Sequence, residues 1–228
     1  MKAGQLAAII EHTLLKPEAT PARIDRLCDE VVAGAFHGVC VHPCWVRRCA
    51  AKLDRTGLTV VSVVGFPLGA HRADTKRDEA RRAIEDGAAE LDMVIALEAL
   101  IAGEDNLVSD EIAAVAAEAH AAEPAALLKV ILETAALTDA QIERGCRLAV
   151  TAGADLLKTS TGFHPAGGAR IEHVRLLKAH AQGRGIKAAG GIRTAADALA
   201  MVAAGATRIG TSVGPALIEN LQLAGGGP

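Results

Sequence analysis

The stretch Thr151-Ala152-Gly153-Ala154-Asp155-Leu156-Leu157-Lys158 ends an alanine-rich helical pattern at a glycine and passes at once into a strand-forming run. Glycine stops a helix cheaply because it adopts left-handed backbone angles that other residues resist. The same phrase recurs as Glu85-Asp86-Gly87-Ala88-Ala89-Glu90-Leu91-Asp92 and as Val202-Ala203-Ala204-Gly205-Ala206-Thr207-Arg208-Ile209-Gly210. Outward from these three, eight short apolar or β-branched runs alternate with longer amphipathic segments. The runs are His12 to Leu15, Phe36 to Val41, Thr59 to Val64, Glu90 to Ile95, Leu127 to Leu132, Asp155 to Ser160, Gly185 to Ala189 and Ala206 to Thr211. Each precedes a helical pattern, and Thr20-Pro21 and Thr138-Asp139 carry the chemistry that opens two of the helices. Eight such units in about 200 residues, with no linker or composition shift, predict an α/β chain whose residues 1–228 form a single (β/α)8 barrel domain with a short N-terminal helix. An open doubly wound sheet is the alternative, but no Gly-x-Gly-x-x-Gly follows the first strand.

Half of the 228 residues are apolar and 22% are charged, which excludes disorder, and no apolar stretch of about 18 residues exists to span a bilayer. Met1 to Ile10 has one positive charge and a short apolar run that meets Glu11, so no export signal is read there. A net charge of −3, with basic residues scattered along the chain, argues against nucleic-acid and membrane partners. Five cysteines is an odd number, and the expectation is free thiols in the cytoplasm. The cluster His37, Cys40, His42, Cys44 and Cys49 lacks a second ligand pair, so it reads as core thiols and surface histidines and no metal is expected. Tyr is absent and Phe and Trp together number four, leaving no aromatic platform for bases or sugars.

In a barrel of this kind the chemistry sits at the C-terminal strand ends. Four polar residues interrupt the apolar runs: Asp92, Lys129, Lys158 and Lys187. An isolated buried ammonium costs several kcal/mol, so three lysines converging in one barrel point to function rather than packing. Burial and neighbouring cations lower the pKa of whichever lysine is most enclosed and yield the neutral amine that attacks a carbonyl. The pattern leaves the three lysines unranked. Asp92 either shuttles protons or forms a buried salt bridge. Two glycine-rich turns follow, Ala189-Gly190-Gly191-Ile192-Arg193-Thr194 and Ile209-Gly210-Thr211-Ser212-Val213-Gly214. Each joins a strand to a helix and so suits an anion, with Thr159-Ser160-Thr161-Gly162 offering hydroxyls and an amide to the same group.

The segments Leu156 to Phe163 and Ile186 to Arg193 carry a resemblance, extended in the same order by His12 to Pro17, Gly65 to Gly69, Glu90 to Ile95 and Leu128 to Thr134. Over nearly the whole chain the sequence resembles the deoxyribose-phosphate aldolase family of class I aldolases. The resemblance implies a TIM barrel that reversibly cleaves 2-deoxy-D-ribose 5-phosphate to D-glyceraldehyde 3-phosphate and acetaldehyde in deoxyribose catabolism, as a dimer or tetramer and without a cofactor. It implies Lys158 as the Schiff-base lysine and Asp92 with Lys187 as the proton relay. It implies Gly162, Gly190, Gly191, Gly210 and Ser212 at the phosphate, with Cys40 near the cavity. Thr161 and Lys129 complete the candidate binding set, Lys129 being either a third catalytic charge or a partner for Glu133 or Asp92.

Several positions depart from the family pattern. Glu11 stands where Asp is usual, Phe163 where some members have lysine, Val213 where a second serine can stand, and Ala96 where Asn is frequent. The chain ends Ala224-Gly225-Gly226-Gly227-Pro228 without the terminal tyrosine of some members, so the tail is expected to take no part in proton transfer. A phosphosugar isomerase would use a Glu base and a neutral His where this chain has lysines. A non-catalytic phosphometabolite-binding protein would not need Asp92, Lys158 and Lys187 together.

Overall fold

Eight parallel strands close into a barrel in sequence order, β1 (Ile10–Leu14), β2 (Gly38–Val41), β3 (Thr59–Val64), β4 (Glu90–Val94), β5 (Leu127–Ile131), β6 (Leu156–Lys158), β7 (Gly185–Ala189) and β8 (Arg208–Thr211), with β8 pairing back onto β1. The computed structural model describes residues 1–225. All eight expected strands form: β3 and β7 keep the expected bounds, β2, β4, β5 and β8 are trimmed by one or two residues, β6 by three, and β1 starts two residues earlier and ends one earlier. Phe36, expected in β2, packs instead on the outside edge-on to His12, their ring centroids 5.7 Å apart. Asp155, expected in β6, turns its carboxylate to the Leu128 amide at 2.8 Å.

Helices surround the barrel: α1 (Ala3–Ala7), α2 (Pro21–Gly34), α3 (Val46–Lys52), α4 (Ala73–Glu85), α5 (Leu97–Ala102), α6 (Asp105–Ala121), α7 (Asp139–Thr151), α8 (Ile171–His180), α9 (Ala195–Ala204) and α10 (Gly214–Gly225). The short helix α1 is the expected N-terminal one. The fourth unit holds two helices where the pattern promised one. Thr20 and Thr138 sit at helix N-caps as expected, but only Thr138 makes the side-chain cap, exchanging hydrogen bonds with Gln141. The three glycines of the recurring phrase, Gly87, Gly153 and Gly205, all have positive φ. The expectation for the Ala224 to Pro228 tail concerns side chains outside the described residues.

Alternation along each strand sends one set of residues outward and the other into the barrel. The outward set, including Ile10, Val39, Leu91, Val130, Ile186 and Ile209, is buried against the helices. The inward set divides in two. Toward β1 to β3 it is apolar, with Cys40, Val61 and Val63 clustered beside Leu15 and Phe66. Toward β4 to β8 and around Glu11 it is ionic: Glu90, Asp92, Lys129, Lys158 and Lys187 are all buried. Branched apolar residues usually fill such an interior, so a charged half needs internal pairing to offset its desolvation.

Candidate active site

Strand register brings the charges together. Asp92 on β4 is level with Lys129 on β5, and Lys158 on β6 is level with Lys187 on β7, which in turn is level with Arg208 on β8. Lys158 stands at a strand end, whereas Asp92, Lys129 and Lys187 lie mid-strand and reach the cluster from within the barrel. Asp92 is the hub. Its Oδ2 accepts from Lys158 Nζ at 2.5 Å and from Lys187 Nζ at 2.5 Å, while Oδ1 accepts from Lys129 Nζ at 2.9 Å. Lys187 also pairs closely with Glu11. Lys129 pairs with Glu90 at 2.6 Å and Glu11 at 3.4 Å, and Arg208 lies 3.7 Å from Glu11 and 3.6 Å from Glu90.

These neighbours separate the three lysines. Burial presses the Lys158 amine below its ordinary pKa, and the Lys187 ammonium reinforces this against the pull of Asp92. Burial acts the same way on Lys187, but Asp92 and Glu11 outweigh it and hold the ammonium above the ordinary value. Lys129 is likewise held charged by Asp92, Glu11 and Glu90 against its burial. The burial that would raise Asp92 is overcome by the three lysines, which keep it well below the carboxylate range. Burial opposes ionisation of Glu90 too, yet the His37 hydrogen bond and Lys129 bring it to about 2. With Lys158 uncharged, the cations Lys129, Lys187 and Arg208 match the carboxylates Glu11, Glu90 and Asp92 one for one.

Above the cluster opens a cleft of about 600 Å³, and of the cluster residues Lys158 alone lines it. Thr161, Gly162, Gly190, Gly191, Gly210 and Ser212 share the lining. Gly162 and Gly190 meet backbone to backbone: a Cβ on Gly190 would lie 3.0 Å from the Gly162 Cα. A Cβ on Gly210 would lie 3.2 Å from Lys187 Cε, so this glycine also makes room for the lysine stem. The two turns lead into the N-termini of α9 and α10. Lys16, Arg26 and Arg193 add exposed positive charge at the rim, and Lys16 Nζ stands 6.0 Å from the Phe163 ring centroid. Thr159 turns its hydroxyl to Ala189 O at 3.2 Å, and Ser160 is buried, so neither lines the cleft.

Lys129 and Cys40 lie beneath the cleft rather than in its lining. Cys40 Sγ is 3.9 Å from Asp92 Oδ2, and burial pushes its thiol up to about 11. The five cysteines are free and only Cys44 is exposed. Of the histidines read as surface groups, His37 bonds Glu90 at 2.9 Å and His42 bonds Leu15 O at 3.1 Å. Among the described residues two groups have ligand atoms close enough for a metal, Glu11 with Cys40 and Asp92, and Glu11 with His37 and Glu90. Their carboxylates are already engaged by lysines and Arg208, which a cation would have to displace.

Sequence reasoning passed over Glu90 and Arg208, and offered Glu133 as a partner for Lys129, which pairs instead with Glu90, Asp92 and Glu11. Glu90 lies two residues before Asp92, and strand alternation alone puts both on one face. Arg208 opens a strand and gives no sign of facing inward. Glu133, just past β5, has φ 57° and ψ 53° and takes the Thr161 hydroxyl on Oε2 at 2.5 Å and its amide at 3.3 Å. No local pattern announces a left-handed glutamate.

The family model for DeoC/LacD family aldolase matches residues 8–218. The chain belongs to this aldolase family. The aldolase is 47% identical over 218 residues to deoxyribose-phosphate aldolase 1 of Bacillus licheniformis, covering 95% of this chain and 96% of the relative. It is 48% identical over 220 residues to the deoxyribose-phosphate aldolase of Thermococcus gammatolerans, with 95% and 96% covered. The tetrameric deoxyribose phosphate aldolase of Aeropyrum pernix superposes with a TM-score of 0.90 at 33% identity, over 97% of this chain and 92% of that one.

Proposed function

We propose that the aldolase reversibly cleaves 2-deoxy-D-ribose 5-phosphate to D-glyceraldehyde 3-phosphate and acetaldehyde through an imine on Lys158. The observation that carries this reading is the position of Lys158: it is the member of the buried cluster that opens on the cleft, and it is the lysine whose amine is pushed toward neutrality. A neutral amine adds to the open-chain C1 aldehyde, and loss of water gives the protonated imine, which draws electrons from the C2–C3 bond. As that bond breaks, the C3 hydroxyl gives up its proton and becomes the carbonyl of the phosphorylated product. An enamine remains on Lys158. Asp92 and Lys187, joined at 2.5 Å, form the acid–base pair that takes the C3 proton through water and returns a proton to the enamine carbon. Hydrolysis then frees acetaldehyde and the amine.

The phosphate belongs against Gly162, Gly190, Gly191, Gly210 and Ser212, where backbone amides and two helix N-termini favour an anion. The names of the relatives support this substrate over a phosphosugar isomerised on the same barrel. The same reading has one barrel domain acting without a metal or organic cofactor, in the cytoplasm and as a homo-oligomer. The tetramer named for the Aeropyrum relative supports self-association, and no described helix is long and apolar enough to cross a membrane.

Incubation with acetaldehyde and borohydride is expected to leave an ethyl group on Lys158, located by peptide mass spectrometry. Lys158→Ala is expected to abolish both the adduct and the cleavage. An unmodified Lys158, or undiminished cleavage in the variant, would overturn the mechanism.

A further inference from the structure

Lys129 takes no part in the steps above, yet it is fully buried and bonded to three carboxylates. It does not reach the cleft, so it meets neither aldehyde nor phosphate. Its ammonium occupies Asp92 Oδ1 at 2.9 Å, leaving Oδ2 as the oxygen that serves both Lys158 and Lys187. Behind it stands Glu90, 2.6 Å from Lys129 and held by His37 at 2.9 Å and Arg208 at 3.6 Å. An unbroken line of polar contacts thus runs from His37, whose side chain keeps 18% of its surface exposed, through Glu90, Lys129 and Asp92 to Lys158.

We propose that Lys129 and Glu90 are positioning residues for the aldol reaction, an opposed charge pair beneath the cleft that fixes the orientation of Asp92 and sets how readily Lys158 gives up its proton. The proposal rests on the reading of Lys158 as the imine-forming amine. Its physical content is the charge balance of the ionic cluster. Removing the Lys129 charge leaves Glu11, Glu90 and Asp92 facing only Lys187 and Arg208, and the excess negative charge favours the Lys158 ammonium. Removing the Glu90 charge leaves Lys129, Lys187 and Arg208 facing only Glu11 and Asp92, and the excess positive charge favours the neutral amine. Cys40, the remaining titratable group against Asp92, is held as a thiol by burial and does not alter the count.

The test is the pH profile of kcat/KM for cleavage, which reports groups of the free enzyme. In Lys129→Met the midpoint on the acid side is expected to rise by roughly one pH unit, the lower end of what a neighbouring charge produces. In Glu90→Gln it is expected to fall by a similar amount. In the double variant the balance returns, and the midpoint is expected within a few tenths of a unit of the parent. A purely structural pair would lower activity without moving the midpoints in opposite directions. Midpoints that stay put, or that move the same way in both single variants, overturn the proposal. If Lys129→Met does not fold, Glu90→Gln and the double variant decide by the same criteria. Borohydride trapping with acetaldehyde on the parent separates the two hypotheses: no adduct on Lys158 removes the Schiff-base reading itself, whereas an adduct with unshifted profiles removes only the role of the pair.

Discussion

One carboxylate, Asp92, touches all three lysines inside the barrel, and its charge is used twice: it keeps Lys187 protonated and gives Lys158 a base beside its amine. Asp92→Asn keeps the shape and the oxygen acceptor but not the charge. The expected outcome is a kcat lower by about 10²- to 10⁴-fold, the range of a lost acid–base group, with the fold retained by circular dichroism. A loss below tenfold would leave Asp92 a structural counter-ion. At this scale the sequence was partly legible. Lysines and an aspartate inside apolar runs stand out because an unpaired charge there is so costly. Their ranking was not legible, since enclosure depends on which strand end opens on the cleft, and that is a property of register. Glu133 was illegible for another reason: its left-handed backbone and its bonds to Thr161 join residues 28 positions apart in the chain.

Among the elements, the turns that end at glycine were readable because a left-handed C-terminus has few other solutions. The N-cap at Thr138 was readable for a similar reason, as its partner Gln141 is three residues away. Two features were not. The split of the fourth unit into α5 and α6 hangs on Gly103, left-handed at φ 84°, inside a pattern that otherwise reads as one helix. The pair Lys76 to Glu111, 2.6 Å apart and buried between α4 and α6, is hidden in a helix whose many charges read as a solvated face. Gly210 shows how an element can serve a distant side chain. In Gly210→Ala the added methyl would press on Lys187 Cε, 3.2 Å away, and on Ala189 Cβ, 2.9 Å away. We expect about 1–3 kcal/mol of lost stability from overpacking, read as a lower Tm, together with a fall in kcat from a displaced Lys187. An unchanged kcat would mean that the lysine tolerates the shift.

For the molecule as a whole, the closed barrel was legible from eight alternating units, because eight strands with crossover helices have few other ways to close. The division of its interior was not, since no single strand shows which half of the barrel will be ionic. That division has a bearing on the surrounding electrolyte. Mobile ions screen charges they can approach, with a Debye length of about 10 Å at 0.1 M salt and about 3 Å at 1 M. They can approach Lys16, Arg26 and Arg193 at the open rim far more closely than Asp92, Lys129 and Lys187, which are fully buried between the strands. Added sodium chloride should therefore weaken capture of the anionic sugar and raise KM, while kcat, set by the buried charges, stays level. Steady-state rates measured across a salt series check this. A kcat that falls as KM rises would show that the interior is open to the solution, and that its charge balance is set by the buffer as much as by the chain.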